Sequence, residues 1–157
     1  MKGKFQWSVE LKIEAEQAKV WNLIEDVSLI PQYHPDVGVV NLFEGKKKRT
    51  VGMKYQCVVL EGKKGSCIEE VVDCIPNEKV TTLMREDTWG MDKIFSDFTV
   101  ETSIRPLDTD TTILKFEAFY TPKGIFNKIL NPLILKRMTK KRSLSVMHGI
   151  KDLAEKQ

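Results

Sequence analysis

Between Phe5 and Ile13 the apolar residues Phe5, Trp7, Val9, Leu11 and Ile13 alternate with Gln6, Ser8, Glu10 and Lys12. A period of two belongs to a strand with one buried face, so the pattern predicts a strand over 5–13. The period then changes. From Glu16 to Asp26, Ala18, Val20, Trp21 and Ile24 recur at helical spacings among charged residues, which predicts a short amphipathic helix. Pro31 and Pro35 bracket Gln32, Tyr33 and His34, and each proline disfavours helical geometry in the residue before it. At most a second short helix is therefore expected before Pro31.

From Asp36 to Tyr120 the chain reads as β-rich runs parted by turn signals at Gly45 to Gly52, Glu61 to Gly65, Pro76 to Lys79 and Leu107 to Thr111. Connections this short favour antiparallel neighbours. Taking the more apolar set of alternate residues as the inner one places Met53, Tyr55, Cys57 and Val59 inward, then Ile68, Glu70, Val72 and Cys74. Val80, Thr82 and Met84 follow, then Phe98, Val100 and Ile104, then Leu114, Phe116, Ala118 and Tyr120. A bulge reverses such an assignment beyond it.

After Tyr120 the alternation stops. Ile125, Phe126, Ile129 and Leu130 form an amphipathic helical piece, and Asn131-Pro132 resembles an N-cap with proline at the first helical position of a new helix running to about Glu155. The competing reading is one continuous helix kinked at Pro132. Either way the chain closes on a long helix, about 35 Å at 1.5 Å per residue.

The chain has 157 residues, of which 41% are hydrophobic, enough for one sizeable core and too few to expect two; a single domain over 1–157 is expected. No run approaches the roughly 20 apolar residues of a membrane span, and the N-terminus alternates where a signal peptide would be continuously apolar. Cytoplasmic location without integral membrane association is the expectation. Cys57, Cys67 and Cys74 lie in strand-like segments without paired zinc-ligand spacing, which reads as buried free thiols and no metal. A formal charge of +3 is too small to announce a nucleic-acid binder. It is unevenly spread: five of the seven residues from Lys136 to Arg142 are basic.

The order of elements resembles the START-like helix-grip superfamily, also called SRPBCC, and within it the polyketide cyclase/dehydrase and lipid-transport branch. The residues that carry the likeness begin with the segment Ile13-Glu14-Ala15-Glu16-Gln17-Ala18-Lys19-Val20-Trp21, followed by Ile24 and Asp26, then Pro31, Tyr33, Pro35 and Val37. Gly52, Pro76, Thr111-Thr112, Leu153 and Glu155 continue it to the end of the chain. The resemblance implies an α+β helix-grip fold: a curved seven-stranded antiparallel sheet around a long C-terminal helix, with one or two short helices after the first strand and a cavity between the layers. Members of that superfamily carry lipids, sense hormones, cyclise polyketides, bind quinones or assist chaperones, so the fold leaves the activity open.

Several residues are candidates for contact with a guest in such a cavity. Glu70, placed among Ile68, Val72 and Cys74, would be a desolvated carboxylate able to anchor a ligand or move a proton, unless a bulge turns it to solvent or a basic side chain pairs with it. Helical spacing from Leu130 and Leu133 sets Arg137 and Lys140 on the apolar side of the last helix, to hold an anionic group or to snorkel into water. His34, beside Tyr33, is a possible base or hydrogen-bond partner, with a structural role as the alternative. Trp89 in a turn reads either as a lid over a guest or as packing against the first helix, and Tyr55 and Tyr120 need partners for their hydroxyls once buried. Met84, Phe98, Phe116, Phe126 and Leu130 complete the expected apolar wall. No cofactor is called for.

Three functions follow: carriage or sensing of a hydrophobic small molecule, lipid-like or aromatic; polyketide cyclase or dehydratase chemistry by acid and base groups in the cavity; and a protein-interaction module showing an exposed apolar groove. Ligand identity and oligomeric state stay open.

Overall fold

The computed structural model describes residues 2–60 and 65–156. Apart from Gly65, the turn expected over Glu61 to Gly65 lies outside the described residues.

Seven strands, β1 (Phe5–Ile13), β2 (Val37–Leu42), β3 (Lys54–Val59), β4 (Ser66–Ile75), β5 (Lys79–Arg85), β6 (Phe95–Asp108) and β7 (Thr111–Pro122), form one antiparallel sheet in the order β1-β7-β6-β5-β4-β3-β2. Strands β2 to β7 are a meander with short connections. β1 joins the sheet beside β7, so the link from β1 to β2 must travel from one edge to the other. That link carries α1 (Gln17–Glu25), a 3₁₀ turn (Val27–Leu29) and α2 (Ile30–Tyr33). Register shifts at Val37/Val39, Val71/Asp73 and Ser96/Thr99 mark bulges, the devices that bend strands around a core.

The chain ends with α4 (Gly124–Leu130), a π turn (Asn131–Leu135) and α5 (Lys136–Glu155) in unbroken succession. Of the two readings left open for this region, the structure takes the continuous helix. Pro132 lacks the N–H that a regular turn requires, and the π turn absorbs the fault. Asn131 is no cap: its buried side chain accepts a hydrogen bond from the Tyr120 hydroxyl at 3.0 Å and donates one to Gln6 Oε1 at 2.9 Å. Trp7 Nε1 donates to Thr139 Oγ1 at 2.9 Å, and Lys151 Nζ to the Lys12 carbonyl at 2.9 Å, so β1 holds α5 near both ends.

Met147, Ile150 and Ala154 of α5 are buried in the same hydrophobic cluster as Ile13, Val20, Leu114 and Ala118. Each large apolar side chain buried here contributes about 1.5–3 kcal/mol. Where α2 crosses α5, Gly149 faces the backbone of Tyr33 so closely that a Cβ there would stand 2.0 Å from the Tyr33 carbonyl oxygen. The second short helix runs through Pro31 instead of stopping before it, because proline in a first turn has no N–H bond to forfeit.

Candidate functional site

The sheet and α5 do not meet everywhere. A cavity of about 160 Å³ remains between them, walled by inward residues of β3 to β7, by Thr139, Ser143, Val146 and Ile150 of α5, and by Ile24, Ile30 and Tyr33 of the short helices. Of the residues singled out from sequence, Tyr33, His34, Met84, Trp89, Phe98 and Phe116 line it. Arg142, exposed, marks its rim and pairs with Asp36 at 2.7 Å.

Trp89 reaches the cavity because its turn is pinned. Asp87 accepts hydrogen bonds from the N–H groups of Trp89 at 2.9 Å and Asp92 at 3.1 Å, ahead of the short helix α3 (Met91–Ile94). The indole lies on Gly65, where a Cβ would come within 2.0 Å of Trp89 Cδ1. The Arg142 guanidinium sits 5.5 Å from the Trp89 ring centre, a cation-π contact at the rim.

Four expectations about the wall are corrected. In β4 the inner residues are Cys67, Glu69 and Val71, opposite Cys57, Tyr55 and Thr82; Ile68, Glu70 and Val72 face away. The β3–β4 register decides this, because β4 is about equally apolar on both alternate sets. Glu70 therefore pairs outside with Arg85 at 2.6 Å, and that ion pair holds its carboxyl below the usual range. Beyond Val71 the bulge turns the strand, and Cys74 Sγ meets the Arg49 carbonyl at 3.7 Å.

Tyr55 and Tyr120 are buried but stand behind the wall. Tyr55 donates to Glu69 Oε2 at 2.6 Å. Tyr120 stacks on Phe98, with ring centres 5.3 Å apart, and sends its hydroxyl to Asn131. Phe126 is 73% exposed, while Leu130 is partly buried against the core without lining the cavity. Arg137 and Lys140 are exposed, since the π turn holds an extra residue and rotates every later side chain relative to Leu130. The inward positions become Thr139, Ser143 and Val146.

Besides Glu69, hidden by the reversed assignment of β4, sequence reasoning missed Arg49. It falls in the basic run Lys46-Lys47-Lys48-Arg49 inside a turn segment, which reads as solvated. The fold ties that run to the end of α1: Val27 N–H donates to the Lys47 carbonyl and Arg49 N–H to the Glu25 carbonyl, both at 2.9 Å. Arg49 is thereby turned into the cavity wall, 5.6 Å from the Tyr55 ring, and its Nε is buried without a hydrogen-bond partner among the described residues. Desolvation pulls the guanidinium pKa down, but the acidic groups around it hold it above its ordinary value, so Arg49 remains a cation.

The neighbouring groups are set as donors. Burial pushes Tyr33 up to about 12 and Tyr55 well above its ordinary value, so both phenols stay protonated. Burial lowers His34, which is thus neutral near pH 7. His34 Nδ1 accepts the Asp36 N–H at 3.2 Å, leaving the ring proton on Nε2. Cys57 and Cys67, cross-strand partners on the wall, are free thiols, and the hydrogen bond between them together with burial pushes Cys57 up. One end of the cavity is thus polar, with Arg49, Glu69, Tyr33 and His34. Met84, Phe98, Val100, Phe116 and Val146 supply apolar wall elsewhere, with Thr82, Thr102, Thr139 and Ser143 among them.

No protein-family model and no curated protein matches the chain. Solved structures do. A START superfamily protein from Mycobacterium smegmatis aligns with a TM-score of 0.71 at 16% identity, covering 96% of this chain and 97% of that one. The ZhuI aromatase/cyclase from Streptomyces sp. R1128 gives a TM-score of 0.74 at 14% identity, over 95% and 92%. Norcoclaurine synthase from Thalictrum flavum, solved with dopamine and hydroxybenzaldehyde, gives 0.71 at 18% identity, over 96% and 87%. The chain has the START-like helix-grip fold.

Proposed function

We propose that this protein binds a small, largely apolar molecule bearing one anionic group, as a carrier or sensor. The observation that carries the reading is Arg49: a cation at the polar end of the cavity wall, with a buried Nε that no described residue satisfies. A buried donor left unpaired costs about 1–3 kcal/mol, more when charged, and a carboxylate on the guest would recover it. Size narrows the guest further. Cavities of about 150 Å³ lined by apolar side chains hold a benzene ring, so the volume fits one substituted ring with any remainder at the mouth. Dopamine and hydroxybenzaldehyde, the molecules bound in the norcoclaurine synthase structure, are of this size and aromatic.

The test is calorimetric titration with 3-phenylpropionate and with its amide, on the native protein and on Arg49→Met. Charge-assisted hydrogen bonds contribute about 1.5–3 kcal/mol, so the acid binds the native protein at least about tenfold more tightly than the amide, and Arg49→Met erases the preference. Equal binding of the two probes to the native protein, or binding of neither, would overturn the proposal.

A second reading, proton transfer on a bound substrate, rests on Glu69. It is a cavity carboxylate supported by the Tyr55 hydroxyl at 2.6 Å, whereas His34 presents a proton and not a lone pair. That reading requires Glu69→Gln to abolish turnover while leaving substrate affinity within a few-fold.

A further inference from the structure

Along α4, the π turn and the start of α5, the apolar residues Ile125, Phe126, Ile129, Leu133, Ile134 and Met138 are between 46% and 78% exposed. Isolated exposed apolar residues are ordinary, but six on consecutive turns of one helical rod are a patch that marks contact with another phase or partner. The charges along this stretch of chain are of one sign. From Glu117 to Asp152 the sequence contains no acidic residue between those two, while eight lysines and arginines fall in the interval. Lys128, Arg137, Lys140 and Lys141 are exposed and Lys136 half-buried, and none of the five makes an ion pair among the described residues.

We propose that this face docks on the surface of a bilayer containing anionic lipids. Basic side chains flanking an exposed apolar stripe are what an interfacial helix needs: the apolar residues enter the boundary between headgroups and acyl chains while the cations meet lipid phosphates and carboxylates. A second copy of the chain fits less well, because a two-fold interface on this patch would set the cations of one copy against those of the other. The docking is peripheral, since no described helix is long and apolar enough to cross a membrane. It also has a geometric consequence. Met138 lies one helical turn before Arg142, which marks the rim of the cavity, so a docked helix brings the cavity mouth close to the lipid surface.

Co-flotation of the full chain with vesicles of phosphatidylcholine alone, or with about a third of the lipid replaced by phosphatidylserine, tests this. The expected result is binding to the anionic vesicles that falls steeply as salt is raised, with little on neutral ones. At about 1 kcal/mol per basic residue near the surface, Lys136→Glu with Lys140→Glu lowers partitioning by at least about 30-fold, and Phe126→Ser with Ile129→Ser by about tenfold or more. All four positions are exposed or half-buried, so circular dichroism and melting temperature should be unchanged in both double variants. Absence of flotation, or flotation indifferent to both pairs, overturns the proposal. So does a stable dimer in solution that Phe126→Ser dissolves, which would give the face to a second copy.

Discussion

Replacing Gly149 by alanine separates two physical effects of opposite sign. In an isolated helix the change stabilises by about 1 kcal/mol, because glycine loses the most backbone freedom on folding. Here the new Cβ would stand 2.0 Å from the Tyr33 carbonyl oxygen, 2.8 Å from its carbonyl carbon and 3.0 Å from its Cα, all backbone atoms of α2 that no side-chain rotation can clear. Ordinary contact begins near 3.4 Å, so α2 must retreat by about 1 Å or more, loosening Ile30 and Tyr33 from the core. Overpacking of this kind costs about 1–3 kcal/mol and more where backbone must move. The net expectation is a loss of about 2 kcal/mol, or a melting temperature lower by about 4–8 °C for a chain of this size. Calorimetry of Gly149→Ala beside Ser145→Ala, an exposed site on the same helix where alanine gains a few tenths of a kcal/mol, reads the sign directly. If Gly149→Ala melted higher than the parent, the close crossing of α2 over α5 would be refuted, and with it the placing of Tyr33 and His34 on the cavity wall.

Tyr120→Phe removes a buried hydroxyl bonded to Asn131 at 3.0 Å, leaving an acceptor unpaired at the π turn; denaturant unfolding should show a loss of about 1–2 kcal/mol. Ligand affinity should stay within a few-fold, since Tyr120 stands behind Phe98. Burial depresses the His34 pKa below its ordinary value of 6.5, so the unfolded chain takes up this proton first as pH falls. Its contribution is intact above about pH 6.5 and is lost as pH drops through the depressed folded value. Melting temperatures between pH 7.5 and 5 should fall with a slope that His34→Gln reduces.

The fold was legible where one signal dominated. The strict alternation of Phe5 to Ile13, the helical spacing of Val20, Trp21 and Ile24, and the end of alternation after Tyr120 each reflect a single buried face, and the elements lie where those faces require. Glu70 was misplaced because Ser66 to Ile75 is about equally apolar on both alternate sets, so the inner set follows from pairing with Tyr55 and Cys57, a long-range fact. Arg137 and Lys140 were misplaced because projecting a regular helix through Pro132 ignores the extra residue of a π turn. Phe126 was read as wall because helical spacing gives a face without saying what it faces. Arg49 carried no local signal at all: its inward turn depends on backbone hydrogen bonds from Val27 and to Glu25, which bind a basic loop to a distant helix end.

The central claim is that a guest enters between sheet and helix with its acid on Arg49. Crystals soaked with 4-iodobenzoate test it by anomalous scattering. The expected result is an iodine peak inside the cavity, against Met84, Phe98 and Phe116, with the carboxylate in hydrogen-bond reach of Arg49. Iodine found only at the protein surface, or a carboxylate turned away from Arg49, would contradict it.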